Sequence, residues 1–250
     1  MPKIRRKLIF IISCFAAFYS ANNGALAQSV RTLPGALNDI VMFNSNSPEV
    51  VRGDGILLST FPPEGKKSPE AHLNYLFQGR FDLFAHHINN TSALPKEEQD
   101  KTLYICALVN NPGTKQAVLE ILQGASYLSL PDAPFVNLSE ILENPNGDIY
   151  AGPGDRVMTE FLLGKNDTIE PKYILIDPGQ TKILFNLPIP VSALDPPLNG
   201  RSILYHLYSK EPLYMAALSM FSPSPPLLEQ WQMKIQKRTI MLCPSALCGP

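Results

Sequence analysis

Hydrophobic and polar positions in this chain fall into short apolar runs cut by proline and glycine, with few stretches that keep a helical period. The clearest run, "KYILIDPGQTKILFNLPI" at 172–189, places Asp177-Pro178-Gly179 between two segments. In the second segment Ile183, Phe185 and Leu187 alternate with polar Asn186, a period-two pattern that predicts a strand with one covered face. "TLYICALVNNPGTKQAVLEIL" at 102–122 repeats the arrangement around Asn110-Asn111-Pro112-Gly113, where proline presets φ and glycine tolerates positive φ. It predicts a hairpin or a tight corner. A third unit, "RSILYHLYSKEPLYMAALSMF" at 201–221, is expected to turn at Ser209 to Pro212; Ile203, Tyr205 and Leu207 share one face, and Leu204, His206 and Tyr208 the other. Further strands are expected near 49–60, 72–89 and 155–163. Short helices are expected at 95–101, at 138–144, where Ser139 can begin a turn, and at 227–235.

With 24 prolines and no alternation of strand and helix, the pattern predicts an all-β fold: an antiparallel two-sheet β-sandwich with a few short helices. No internal repeat or low-complexity linker divides the chain. The expected organisation is a cleavable signal peptide over 1–27, a β-sandwich domain over 28–225, and a short helix with an atypical tail over 226–250.

The N-terminus carries the signal. Lys3, Arg5, Arg6 and Lys7 precede an uncharged apolar run from Leu8 to about Tyr19, and Ala25-Leu26-Ala27 supplies an A-x-A site before Gln28. That run is about a dozen residues, short of the roughly 20 that cross a bilayer as a helix. Ile11-Ile12-Ser13-Cys14 resembles a lipoprotein cleavage box, but the apolar segment before Cys14 is too short for it. The reading is export to the periplasm or beyond, with no transmembrane segment in the mature chain. Loss of the four basic residues moves the formal charge from -1 to -5, and no basic run remains, which argues against a nucleic-acid partner.

Of four cysteines, Cys106 lies in an apolar run and reads as a small buried hydrophobe, whereas Cys243 and Cys248 could pair in an oxidising compartment. No Cys-x2-Cys knuckle offers a metal site, and no cofactor signature is found. "AGPGDRVM" lacks the lysine and hydroxyl of a phosphate loop, and a strand is expected to follow it. G-x-S-x-G and H-E-x-x-H are missing as well. Arg52-Gly53-Asp54 is too short to carry an adhesive reading, and Asn90-Thr91-Ser92 and Asn137-Leu138-Ser139 matter as glycosylation acceptors only in a host that glycosylates them.

Attention therefore falls on "FQGRFDLFAHHINN" at 77–90. On a strand, adjacent His86 and His87 point to opposite sides and cannot share a metal. His87 follows Phe81, Leu83 and Ala85 into the core, as a hydrogen-bonded histidine at its edge. Arg80, Asp82, Phe84 and His86 share the other face and are the candidate binding residues. Asp82 and His86 are roughly 13 Å apart along a strand, too far for a dyad, so Arg80 is the expected partner of Asp82. Glu70, with His72 and Tyr75 nearby, is a weaker candidate for acid/base chemistry.

"FNSNSPEVVRGDGILLSTFPPEG", "PEAHLNYLFQGRFDLFAHHI", "YLSLPDAPF", "IYAGPGDRVM" and "NLPIPVSALDPPLNGRS" together resemble a family of exported cyanobacterial proteins known as a domain of unknown function. The resemblance spans about Leu33 to Trp231 and implies no activity, cofactor or catalytic residue. Members look longer, which points to the final "QMKIQKRTIMLCPSALCGP" as a truncation or reading-frame scar. The functional expectation is a non-catalytic binding or structural module that contacts envelope polysaccharide or protein. The alternative is a hydrolase of envelope glycans with a carboxylate pair in a cleft.

Overall fold

The computed structural model describes residues 38–165 and 171–236. The expected signal peptide, the tail from 237 on and its two cysteines lie outside them. The described residues form nine strands: β1 (Val41–Ser45), β2 (Val50–Val51), β3 (Gly55–Ser59), β4 (Phe77–Asn90), β5 (Leu103–Asn110), β6 (Ala117–Leu128), β7 (Tyr173–Ile176), β8 (Thr181–Ile189) and β9 (Leu198–Phe221). Two α-helices join them, α1 (Pro153–Leu162) and α2 (Leu228–Gln236). Short 3-10 turns occupy Pro69–Ala71 and Lys96–Glu98. The fold is mostly β, and the described residues from Ile40 on belong to one compact unit.

The strands make one mixed nine-stranded sheet, because the 24-residue β9 is hydrogen-bonded in two ladders. In the first ladder, residues 198–209 of β9 lie between β4 and β6, with β1 and β2 outside β4 and β7 outside β6. In the second, residues 214–221 lie between β3 and β5, with β8 outside β5. β1 and β2 run parallel to β4, so the sheet is not purely antiparallel, and the ladders are continuous through β9 rather than two separate sheets.

All three units read from the sequence as turning pairs are corners between ladders. β5 pairs with β8 and β9 in the second ladder, while β6 pairs with β7 and β9 in the first, so residues 111–116 carry the chain across without forming a hairpin. β7 and β8 divide in the same way. Asparagines pin the two corners together: Asn111 N–H donates to Gln180 O (3.0 Å), its side-chain amide to Lys115 O and Ile176 O, and Asn111 O accepts from Gly179 N–H (2.8 Å). Gly179 has φ of 72°, which a side chain would strain. The expected turn at 209–212 is a bend inside β9. Opposite it the β4 register jumps between Phe77 and Gly79, whose φ is 75°.

Inward side chains of both ladders, among them Phe43, Phe81, Leu83 and Ile203 from the first and Ile105, Val109 and Met215 from the second, form one buried cluster. Two helices cover the outer faces. Trp231 and Ile235 of α2 close on Tyr104, Cys106, Leu108, Ala216 and Leu218. Val157 and Phe161 of α1 close on Ala125, Tyr127 and Leu204, with Phe84 beside them.

The helix at 227–235 occurs as expected, and the segment 95–101 forms only the short 3-10 turn. Two expectations fail. Residues 155–163 are helical rather than extended: Pro153 begins the helix, Asp155 takes Ala151 N–H (2.8 Å), and Gly164 at φ of 66° receives the chain at its end. Pro153, Val157 and Phe161 recur every four residues and are buried, a helical spacing with polar Asp155, Arg156, Thr159 and Glu160 between them. Residues 138–144 form no helix, because Leu138, Ile141 and Leu142 are exposed and find no face to cover. Instead Asn144 holds a turn, its side chain accepting from Asp148 N–H (3.0 Å) and Ile149 N–H (3.1 Å).

Candidate functional site

Strand β4 separates the two histidines as the pattern requires. His87 is 1% exposed, on the core side. Its Nδ1–H donates to Pro48 O (3.0 Å); since a carbonyl only accepts, Nε2 carries no proton and accepts from Ser45 Oγ–H (3.0 Å). Burial pushes its pKa down to about 4 against the opposing Pro48 bond, so this imidazole is neutral. His86 faces outward, with Nδ1 2.8 Å from Ser202 Oγ and Nε2 3.4 Å from Glu49 Oε1. Among the described residues no group of three His, Cys, Asp or Glu could hold a metal.

The outward face of the first ladder is where the candidate residues meet partners that the sequence did not connect. Register places Asp82 opposite His206, Arg80 opposite Tyr208, and Glu120 opposite Tyr208 on the far side. Asp82 is buried and its Oδ1 accepts from His206 Nδ1–H at 2.7 Å. The expected Arg80–Asp82 pair is therefore replaced by a cross-strand pair, because directly opposed side chains stand closer than residues two apart on one strand. Phe161 of α1 packs edge-on against the His206 ring, with centroids 4.8 Å apart. Arg80 is exposed and makes no hydrogen bond or ion pair to another described residue; Tyr208 and Glu120 are exposed beside it.

The four residues thus occupy three environments. Arg80 lies at the open end of the face with Tyr208 and Glu120. Asp82 and Phe84 lie at the margin of α1, where Phe84 packs against the Val157–Phe161 cluster. His86 lies beyond the helix, with Ser202 and Glu49. Next to Phe84 a polar cluster fastens α1: Tyr127 Oη donates to Glu160 Oε2, the Arg156 guanidinium stacks 3.9 Å over the Tyr127 ring, and its Nη1–H donates to Asp132 O (2.8 Å). Burial first, then Glu160, pushes the Tyr127 pKa up to about 12.

Among the described residues the titratable groups of this face do not converge. A carboxylate that orients an imidazole through Nδ1 is half of a general-base pair, yet no described serine, threonine or cysteine is hydrogen-bonded to His206. The Asp82 and Glu120 backbones are about 12 Å apart on the strand spacings, and Asp82 is already engaged. Glu70, His72 and Tyr75 do not converge: His72 is buried with Nδ1 2.8 Å from Ser59 Oγ, Glu70 is exposed, and Tyr75 packs on Phe77. The glycine-rich stretch does lead into a helix, contrary to expectation, but Asp155 sits in its first turn and opposes an anion. Asp54 of the Arg-Gly-Asp tripeptide is engaged too, accepting from Phe221 N–H (2.8 Å) and Lys234 Nζ (2.9 Å).

These features define a mostly-β domain with a helix-covered outer face and an open polar end. Its sequence matches, over residues 28–246, the family described as a protein of unknown function (DUF3370), and the chain belongs to that family. The match continues beyond Trp231, past the limit of the resemblance read from the sequence. No curated protein and no solved structure matches the chain. No described helix is long and apolar enough to cross a membrane.

Proposed function

We propose that this protein is an exported, non-catalytic binding module of the cell envelope, and that it contacts polysaccharide through the open end of the first ladder's outer face. The observation that carries the reading is the row Arg80, Tyr208 and Glu120. These side chains stand on three adjacent strands, exposed, with a buried Asp82–His206 pair beside them. Strand backbones hold such groups at fixed spacing, and an aromatic ring flanked by hydrogen-bonding groups suits a sugar ring and its hydroxyls. Export is supported by the basic-apolar N-terminus, and the family match begins at Gln28, the residue that follows the expected cleavage site. A glycan hydrolase has less support, because the carboxylates nearest this row are far apart or engaged.

Co-sedimentation tests the reading. The mature chain is expected to pellet with purified peptidoglycan or exopolysaccharide, and the Arg80→Ala, Tyr208→Ala double variant to lose about tenfold in affinity with unchanged melting temperature. A parent that pellets with neither polymer, or a double variant that pellets as well as the parent, refutes it.

A further inference from the structure

A second surface lies away from that row, on the segment between β6 and α1. From Ser129 to Gly152 the chain holds four carboxylates, Asp132, Glu140, Glu143 and Asp148, and no lysine, arginine or histidine. Its exposed side chains are nonetheless largely apolar: Ile141 is 90% and Phe135 67% exposed, and Leu162, at the end of α1, is 82% exposed. Apolar groups on a loose loop would mean little. This segment is tied down at both ends. Gly152 N–H donates to Pro134 O (3.1 Å), and the Phe135 ring lies so close to Gly152 that a Cβ there would fall 2.4 Å from it. At the other end Gly147 packs on Thr159 of α1 and on Leu163, which caps it. Where the arm leaves the sheet, Leu130, Pro134 and Phe135 join Ile88 and Leu198 around an open groove of about 270 Å³, large enough for a bulky apolar side chain.

We infer that this arm and groove dock a cationic amphipathic segment of a protein partner, with an apolar anchor in the groove and lysines or arginines against Glu140, Glu143 and Asp148. Charge complementarity selects this occupant. A second copy would present the same carboxylates to the same carboxylates, and an anionic lipid surface would repel them. The apolar side chains exceed the scattered single exposures normal for a monomer, and an apolar anchor ringed by charge is how binding surfaces concentrate affinity.

The test uses the mature chain and a synthetic leucine-lysine peptide patterned as an amphipathic helix, with its leucine-glutamate counterpart and neutral and anionic phospholipid vesicles as competitors. Titration calorimetry should show saturable one-site binding of the lysine peptide alone, weakened by salt. Ile141→Ser with Leu142→Ser should weaken it about tenfold, and Glu140→Gln with Glu143→Gln about fivefold at low salt. Neither pair should alter polysaccharide co-sedimentation, so this inference can fail while the polysaccharide reading stands. Equal binding of both peptides, insensitivity to both variant pairs, partition into either vesicle, or self-association abolished by Ile141→Ser would each overturn it.

Discussion

The two helices that cover the outer faces do so by different means. α2 buries Trp231 and Ile235 against a face that is apolar almost throughout, with Phe61, Leu108, Leu218 and Met220 around Cys106. Burial raises the Cys106 thiol pKa well above its usual value, so it is inert there. α1 buries only Pro153, Val157 and Phe161, and the rest of its hold is polar, through Tyr127, Glu160, Arg156 and the neighbouring Asp82–His206 pair. A dry face costs little specificity and contributes mainly area. A face held by hydrogen-bonded charges has fixed geometry and leaves groups free at its margin, which is why the candidate binding row lies on the first ladder.

If α2 is the stabilising cover, removing its centre should be the most damaging single change. Trp231 is fully buried, and Trp231→Ala should destabilise by about 3–5 kcal/mol in urea titrations followed by circular dichroism. Trp231→Phe should cost much less, because the buried indole N–H has no partner among the described residues and its loss removes a desolvation penalty. An alanine variant no weaker than Phe161→Ala would end the contrast between the helices.

His87 sharpens the comparison from the core side, since it lies behind the candidate row and outside both helix contacts. Its pKa is about 4 when folded, against an ordinary 6.5. Between these values the unfolded chain binds the extra proton, so stability falls as pH drops from 6.5 towards 4 and is steady below that. The full difference is about 3 kcal/mol. Trp231 is the only tryptophan, so its fluorescence during urea unfolding at stepped pH reads this directly. His87→Gln should flatten the profile over that window; an unchanged profile would show that another group governs it.

Much of this was legible in the chain. Alternation along β4 separates His86 from His87, and the same period groups Ile203, Tyr205 and Leu207 on one face, which the structure buries. Period-two patterning states which side a residue faces and says nothing about its neighbour across the ladder. The Asp82–His206 pair and the Arg80–Tyr208–Glu120 row are therefore invisible in the sequence, although the pattern does put His206 and Tyr208 on one face. The corners are open for a related reason: Asn-Pro-Gly and Asp-Pro-Gly fit a hairpin or a tight corner alike and do not specify the ladder to which the following strand belongs. α1 is hard to see in the chain because Val157, Phe161 and Leu162, on either side of Met158 and Thr159, suit a strand, while Pro153 and Gly164, which bound the helix, also suit a turn.

The Asp82–His206 pair offers the finest test of the contrast, because it joins β4 to β9 beneath the edge of α1 without adding much apolar area. Asp82→Asn keeps the shape but replaces a charge-assisted bond with a neutral one, and His206→Gln removes the ring that Phe161 abuts. Each should cost about 1–2 kcal/mol, less than the loss of Trp231. The double variant should cost less than the two single losses together, by about 1 kcal/mol, since the partner of either change is already gone. Strict additivity in urea titration would mean that the 2.7 Å contact does not hold the face. The polar side of the comparison would then rest on Tyr127, Glu160 and Arg156 alone.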